Sequence, residues 1–141
     1  MEPASPRADA SLARADRGRI RGLYVLLDAQ PRGGLPPLAV AHAALEGGAR
    51  MLQLREKALD KGQVLPLARE LRALCDSFGA LFFVNDHADL ALACGAHGVH
   101  LGQKDLPVGE VRRLVPAGML VGTSTNNVQE ALAAQEAGAD Y

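Results

Sequence analysis

The sequence predicts an α/β fold in which helices cover the outside of a parallel sheet, and three observations support this. Short apolar runs such as Met51–Leu54 and Leu81–Val84 are typical of strands that are buried on both faces. Stretches with helical spacing separate these runs. A glycine and an alanine stand together before most of the later runs. Such a pair fits a left-handed helix end followed by a tight turn into a strand.

The elements follow one another in a regular order. The first strand is predicted at 22–28, and the apolar spacing from Leu38 to Leu45 predicts the helix after it. The other predicted strands are 51–57, 81–86, 98–103 and 119–124, and the other helices are Leu65–Leu74, His87–Ala93, Val108–Leu114 and Val128–Ala137. Five such alternations imply right-handed crossovers between parallel strands.

The repeat also predicts a sixth strand, which should follow Gly138-Ala139 and begin close to Tyr141. A complete (β/α)₈ TIM barrel usually needs about 250 residues, or about 200 at the short end, whereas this chain has 141. The pattern therefore favours a TIM barrel truncated after about five βα units over a smaller open sheet. We assign residues 21–141 to this incomplete barrel domain and residues 1–20 to a mobile N-terminal leader.

Composition excludes several classes of partner. The formal net charge of −1, without long runs of like charge, argues against nucleic-acid and membrane surfaces. The aromatic content of 4%, with no Trp, argues against base stacking. Cys75 and Cys94 lie in apolar helical patterns and form no C-x-x-C pair. They are expected to be buried small hydrophobes of a protein in a reducing cytoplasm.

Polar residues at the end of the second strand predict an anion site. Gln53, Arg55 and Lys57 share one face of the strand because side chains alternate with period two. Long polar side chains on a buried strand are costly unless they meet a ligand or partners. Arg and Lys suit phosphate oxygens, which indicates an anionic, phosphorylated substrate. The alternative is a solvated strand end paired with Glu56 or Asp60.

Two carboxylates follow the next two strands. Asn85-Asp86 closes the third strand, and Asp105 follows the fourth. Neighbouring strand ends lie about 5 Å apart, so both carboxylates can converge on one hard cation. Magnesium suits them, since it takes one or two carboxylates together with water and substrate phosphates. The alternative is that Asp86 and Asp105 cap the helices that follow them.

Ser124, after the fifth strand, is a candidate hydrogen-bond donor to an anion, with helix capping as the alternative. No histidine is expected to partner it in a nucleophilic triad, because His87, His97 and His100 belong to other units. His100 is interpreted as a structural residue within a strand. His42 and His97 are expected at the surface.

Taken in order, these segments resemble successive motifs of the thiamine phosphate synthase family. The resemblance runs from about residue 22 to the last residue of the sequence. It rests on Leu23-Tyr24-Val25-Leu26-Leu27-Asp28, Gln53-Leu54-Arg55-Glu56-Lys57, Asn85-Asp86, Gly98-Val99-His100-Leu101-Gly102-Gln103-Lys104-Asp105, Gly122-Thr123-Ser124 and Ala139-Asp140-Tyr141.

The resemblance implies a TIM-barrel transferase that joins hydroxymethylpyrimidine diphosphate to a thiazole phosphate, with Mg²⁺, giving thiamine phosphate and diphosphate. The family reaction is dissociative, so diphosphate leaves before the thiazole nitrogen attacks, and neither a general base nor a covalent nucleophile is required. The implied roles are pyrimidine binding for Gln53 and Asn85, diphosphate binding and catalysis for Arg55, Lys57 and Ser124, and magnesium binding for Asp86 and Asp105.

Two departures from the family pattern modify this expectation. Asn126 stands where the family often has a histidine, and the later Thr-x-Thr-Lys segment and glycine-rich loops are absent from the sequence. We therefore expect the 141-residue chain alone to be inactive as a synthase. Its first and fifth strands should be unpaired edges, which would promote self-association and a possible homo-oligomer.

Two other functions stay open. One is a related thiazole tautomerase, which should not need the magnesium pair, so retention of Asp86 and Asp105 favours the synthase. The other is a non-catalytic remnant or binding module that still holds the pyrimidine diphosphate.

Overall fold

The computed structural model describes residues 17–30 and 33–141, and these residues contain five strands and five helices in strict alternation. The strands are β1 (Tyr24–Asp28), β2 (Met51–Arg55), β3 (Leu81–Asn85), β4 (Gly98–Leu101) and β5 (Leu120–Thr123). The helices are α1 (Pro37–Glu46), α2 (Lys61–Ser77), α3 (Ala88–Cys94), α4 (Val108–Leu114) and α5 (Val128–Glu136). The predicted alternation of strand and helix is confirmed.

The strands form one parallel sheet in chain order, β1-β2-β3-β4-β5. Met51 of β2 pairs with Leu81 of β3, and His100 of β4 pairs with Gly122 of β5. Consecutive parallel strands need a crossover, and one helix supplies it each time. The predicted parallel α/β sheet is therefore confirmed.

One face of the sheet is covered by the helices. Its core combines buried strand residues with buried helix residues, chiefly Leu52, Leu54, Phe82, Val84, Val99, Ala41, Leu45, Ala68, Leu71 and Cys75. Cys75 and Cys94 are both buried, as expected, and burial raises the pKa of the Cys75 thiol to about 12. Both cysteines therefore remain protonated packing residues.

The other face, here called the inner face, carries a smaller apolar cluster. Met51, Leu81, Phe83 and Leu120 form its buried centre, and Ile20, Tyr24 and Tyr141 pack against them. The hydroxyl groups of Tyr24 and Tyr141 lie 2.8 Å apart, although β1 and the residues beside β5 are at opposite ends of the strand order. The sheet therefore curls towards its inner face far enough for side chains from its two ends to touch.

Several predicted strand ends are too long. β2 stops at Arg55 rather than at residue 57, and β4 stops at Leu101 rather than at residue 103. In contrast, α2 begins at Lys61, four residues before the predicted start. The backbone N–H of Asp60 donates to Gln63 Oε1 at 3.2 Å, which fixes this earlier start. Lys57 therefore lies in a turn, not in a strand.

Residues 1–16 of the predicted leader lie outside the described residues. Its last residues contact the domain. Ile20 packs against the inner-face cluster, and Arg17 forms an ion pair with Asp140. Within the described part of the chain, no helix is long and apolar enough to cross a membrane.

β1 and β5 are the end strands of the sheet, as predicted, but β5 is not wholly unpaired, because residues 140 and 141 bond to its far edge. The Asp140 N–H donates to the Val121 carbonyl at 2.7 Å, and the Thr123 N–H donates to the Tyr141 carbonyl at 3.0 Å. Residues 140 and 141 thus begin to pair with β5 at the place where the repeat predicts a sixth strand. At the other end of the sheet, Leu26 of β1 lies on the inner face and is 59% exposed, so apolar surface is open beside this edge strand.

Gly122 makes room for Tyr141. A Cβ atom built on Gly122 would lie 2.5 Å from Cε1 and Cε2 of the Tyr141 ring, closer than real Cβ contacts allow. The two hydrogen bonds of residues 140 and 141 hold the ring against β5. The absent side chain at residue 122 is therefore what admits the Tyr141 ring to the inner face.

We expect Gly122→Ala to lower the free energy of unfolding by about 1–3 kcal/mol, because overpacking forces the ring or the backbone to shift. Urea unfolding followed by circular dichroism measures this. Gly109→Ala is the control, since nothing lies within 4 Å of a Cβ there and alanine favours a helix. In a Tyr141→Ala background the effect of Gly122→Ala should largely disappear. An equal effect in both backgrounds would contradict the steric explanation.

Candidate active site

The carboxyl ends of β2 to β5 bring all the predicted site residues to one edge of the sheet. Gln53 and Arg55 lie within β2, Asn85 ends β3, and Asp86, Asp105 and Ser124 follow β3, β4 and β5. Ligands of parallel α/β sheets bind at this edge. Lys57 reaches the same edge from the turn after β2, since its ammonium group pairs with Asp86.

Asp86 and Asp105 form an acidic pair. Asp86 has a φ of 65°, a left-handed conformation that turns its side chain away from the course of β3. Asp105 Oδ2 accepts a hydrogen bond from the Gly102 N–H at 2.6 Å. The two carboxyl groups also lie within hydrogen-bond reach of one another. The structure therefore brings together the two residues that the sequence predicts to share a cation.

The two carboxyl groups differ in their pKa. Burial raises the pKa of Asp105, and the neighbouring Asp86 carboxylate adds to the rise, although the Gly102 N–H opposes it. Burial also acts against ionisation of Asp86, but the bonds to Lys57 and Asp105 outweigh it and leave the Asp86 pKa below its ordinary value. In effect Asp86 carries the negative charge, and Asp105 takes up a proton more readily.

None of the three capping alternatives matches the structure. The cap residue of α3 is His87, and the cap residue of α4 is Pro107, both without a side-chain cap. The cap of α5 is Asn127, whose side chain accepts from the Glu130 N–H at 2.9 Å. Asp86, Asp105 and Ser124 are thus left available for other contacts at the edge of the sheet.

The two cationic residues are placed differently. Arg55 is the exposed last residue of β2. The proposed local partners are used elsewhere: Glu56 accepts from the Leu59 N–H at 2.9 Å, and Asp60 begins α2. Lys57 pairs with Asp86 across the strand ends. The pairing of Arg55 and Lys57 with Glu56 or Asp60 is therefore not what the structure shows.

Gln53 is buried, with only 2% of its surface exposed, and it is satisfied by polar neighbours. Its amide lies 2.8 Å from the Tyr24 hydroxyl and 2.8 Å from the Asn85 amide. The Asn85 amide in turn lies 3.0 Å from each carboxylate oxygen of Asp86. Gln53 thus connects β1 with the acidic pair through Asn85.

His100 contacts Ser124, although the sequence places the two residues in different βα units. The two residues belong to adjacent strands, and His100 Nε2 lies 2.8 Å from Ser124 Oγ. His100 Nδ1 lies 3.3 Å from the Tyr141 hydroxyl, not from a carboxylate, so the arrangement is not a nucleophilic triad. Burial lowers the pKa of His100, which keeps it neutral at neutral pH.

Other sequence expectations need correction or refinement. His97 is not a surface residue: its side chain is 9% exposed, and Nδ1 accepts from the Phe82 N–H at 2.9 Å. Asn126 does not reach the site in place of the family histidine, because its backbone N–H and side chain both donate to Glu130. His42 is exposed, as expected.

Sequence reasoning missed Tyr24 and Tyr141 as members of the site. Both phenols lie among the inner-face residues, and burial raises the pKa of each, so both stay protonated. Period-two alternation along β1 and β2 places Tyr24 on the same face as Gln53, and this pattern could have identified it. Nothing local distinguishes Tyr141.

The acidic pair fits a hard divalent cation. Among the described residues no group of three or more His, Cys, Asp or Glu side chains could hold a metal. Magnesium does not need such a group, since one or two carboxylates with water and phosphate oxygens suffice. A cleft of about 270 Å³ lies between the start of α4 and α5, and Asp105 is the member of the acidic pair that lines it.

Comparison with known proteins shows which family this chain resembles. The thiamine monophosphate synthase family model matches residues 23–141. The thiamine-phosphate synthase of Anaeromyxobacter dehalogenans is 48% identical over 136 residues, which cover 96% of this chain and 59% of that protein. The thiamine-phosphate synthase of Methanoregula boonei is 48% identical over 119 residues, covering 84% and 55%.

A solved structure of a protein with the same kind of name also resembles this chain. The thiamine phosphate pyrophosphorylase from Pyrococcus furiosus superposes with a TM-score of 0.80 at 36% identity, covering 89% of this chain and 59% of that one. The chain thus spans somewhat more than half the length of the relatives it matches. Because the family model matches residues 23–141, this chain belongs to the thiamine monophosphate synthase family.

Proposed function

We propose that this chain provides the pyrimidine-diphosphate half of a thiamine phosphate synthase, a transferase that joins hydroxymethylpyrimidine diphosphate to a thiazole phosphate. The observation that carries the proposal is the convergence of the acidic pair, Lys57 and Ser124 at one edge of the sheet. Family membership supports the same reaction. We further propose that the sheet is the first part of a (β/α)₈ barrel, because it curls and begins a sixth strand.

The proposed roles follow from the position of each side chain. Asp86 and Asp105 would hold Mg²⁺, and Arg55, Lys57 and Ser124 would hold the diphosphate. Gln53 and Asn85 would hold the pyrimidine through those amide N–H groups and oxygen lone pairs that their bond to one another does not use. When bound, magnesium would neutralise negative charge that builds up on the leaving diphosphate oxygens.

The Lys57–Asp86 ion pair lets each charge neutralise the other. If Asp86 instead held Mg²⁺, Lys57 would be able to contact the diphosphate. Arg55 and Lys57 then stabilise the charge that develops as the bond to the pyrimidine methylene breaks. Ser124 adds a hydrogen bond, and no residue has to act as a base or nucleophile.

Calorimetry of the 141-residue chain with hydroxymethylpyrimidine diphosphate tests the proposed binding. We expect binding with Mg²⁺ and at least about tenfold weaker binding with EDTA, since diphosphate and carboxylates would otherwise repel one another. The thiazole phosphate offered alone is the control. Binding of the thiazole phosphate without metal, and none of the diphosphate, would favour the tautomerase alternative.

Turnover is tested in a chimera in which residues 17–141 replace the matching segment of the Anaeromyxobacter relative. We expect Mg²⁺-dependent formation of thiamine phosphate, detected by mass spectrometry. A folded chimera that binds the pyrimidine diphosphate without turnover would favour the binding-module alternative. Gel filtration of the 141-residue chain tests the proposed homo-oligomer.

A further inference from the structure

A continuous run of polar side-chain contacts, each at hydrogen-bond distance, crosses the inner face from Ser124 to Asp86. Its links are Ser124 to His100 at 2.8 Å, His100 to Tyr141 at 3.3 Å, Tyr141 to Tyr24 at 2.8 Å, Tyr24 to Gln53 at 2.8 Å, Gln53 to Asn85 at 2.8 Å and Asn85 to Asp86 at 3.0 Å. The chain therefore joins the proposed anion contact to the proposed cation contact.

Every inner member of this chain donates one hydrogen bond and accepts another. Neutral histidine, phenol hydroxyls and side-chain amides can all do both, so the chain can run in either direction. A reversal at one point only would leave two donors or two acceptors facing one another. Each such mismatch costs about 1–3 kcal/mol when buried. All the links must therefore point the same way.

The charge of Asp86 selects the direction. An ionised carboxylate only accepts hydrogen bonds, so Asn85 donates its amide nitrogen to both Asp86 oxygens. The Asn85 oxygen then faces Gln53, so the Gln53 amide must also turn, with its nitrogen towards Asn85 and its oxygen towards the Tyr24 hydroxyl. In that orientation Tyr24 donates to Gln53, Tyr141 to Tyr24, and His100 Nδ1 to Tyr141. At the far end, His100 Nε2 accepts the proton of Ser124. In the opposite direction the Asn85 oxygen would face the Asp86 carboxylate.

We propose that this chain is a relay through which the charge at Asp86 sets whether Ser124 presents a lone pair or a proton to a ligand. His100, Tyr141 and Tyr24 are its positioning residues. With Asp86 ionised and no cation bound to it, the Ser124 hydroxyl donates to His100 Nε2. A bound cation weakens the pull of Asp86 on Asn85, and an anion at Ser124 favours a donated proton. Both ligands therefore favour the reversed direction and assist one another.

The identity of the two ligands of the relay rests on the proposed function. The test of the relay itself uses neither the cation nor the anion. The tautomer of His100 reports the direction. Long-range ¹H–¹⁵N spectra of the ¹⁵N-histidine-labelled chain at neutral pH show which ring nitrogen carries the proton, and His100→Gln assigns the signals. We expect the proton on Nδ1 in the wild-type chain. A proton on Nε2 would overturn the proposal without any further variant.

Asp86→Asn should move the proton to Nε2. Lys57 can still hold the oxygen of the new amide, so the amide nitrogen faces Asn85 and reverses the chain. In a Tyr141→Phe background the relay is cut, and His100 should have the same tautomer with Asp or Asn at residue 86. If Asp86→Asn still changed the His100 tautomer in the Tyr141→Phe background, the proposal would be overturned. The same holds if Asp86→Asn alone left the tautomer unchanged. A purely structural role of Tyr141 predicts neither switch.

Discussion

Asp140→Ala is expected to lower the free energy of unfolding by about 3–5 kcal/mol, a large part of the stability of a domain this size. The Asp140 side chain is fully buried and forms ion pairs with Arg112 and Arg17. It also accepts from the Val121 N–H at 2.9 Å. Alanine would leave a largely buried guanidinium group and a backbone donor without this partner.

The same side chains connect three parts of the fold. Arg112 of α4 also donates to the Gly138 carbonyl at 2.9 Å and to the Met119 carbonyl at 2.6 Å. Arg112 and Asp140 therefore join α4, the start of β5 and the segment that pairs with β5. Because loss of this connection frees residues 138–141, the Tyr24–Tyr141 contact should be lost with it.

Urea unfolding of the 141-residue chain measures the effect of Asp140→Ala. Arg113→Ala is the matched control, because Arg113 is the next residue of α4 and pairs with Glu110 at 3.4 Å on the surface, with 78% and 57% of the two side chains exposed. Such an exposed pair contributes at most about 1 kcal/mol. If both variants lost the same stability, the buried ion pair would not be the cause.

The fold could be predicted because its determinants are local. Buried runs such as Leu81–Val84 and glycines such as Gly95, which ends α3 in the left-handed conformation, act within a few residues. Period-two alternation also placed Gln53 opposite Leu52 and Leu54, and the structure agrees. Strand ends were less predictable, because Glu56 accepts from the Leu59 N–H and so turns the chain within the predicted strand.

The relay and the Arg112–Asp140 pair could not be predicted because their partners are distant in the chain. Tyr24 and Tyr141 touch because the sheet curls, and no local sequence pattern predicts that curl. His100 and Ser124 are 24 residues apart and meet through the pairing of β4 with β5. The sequence does predict which polar residues reach the edge of the sheet. Which of them touch depends on the register between strands.

Asp86→Asn should abolish magnesium-dependent binding of the pyrimidine diphosphate, weakening it by at least about tenfold. The substitution keeps the shape of the side chain but removes the charge that attracts a divalent cation. It also replaces the ion pair with Lys57 by a weaker hydrogen bond to the amide oxygen, which the diphosphate can displace without metal. The variant should therefore retain weak binding that no longer depends on magnesium.

Calorimetric titrations with and without Mg²⁺ measure this, and Asp89→Asn is the control. Asp89 lies three residues further on and pairs with Lys61 at 2.5 Å, away from the acidic pair. Its substitution should leave the magnesium dependence unchanged. Unchanged dependence in Asp86→Asn as well would remove Asp86 from the cation site, whatever the affinity for the diphosphate.

Lowering the pH should weaken magnesium binding through protonation of Asp105. Both carboxylates must be ionised to hold the cation, and the pKa of Asp105 is raised by burial and by the nearby Asp86 charge. As the pH falls, Asp105 is therefore protonated before Asp86, whose pKa is lowered. Magnesium affinity should begin to fall above the ordinary aspartate pKa. Asp105→Asn should bind magnesium weakly even at neutral pH, and its remaining affinity should not show this first decline, because Asp86 titrates only at lower pH.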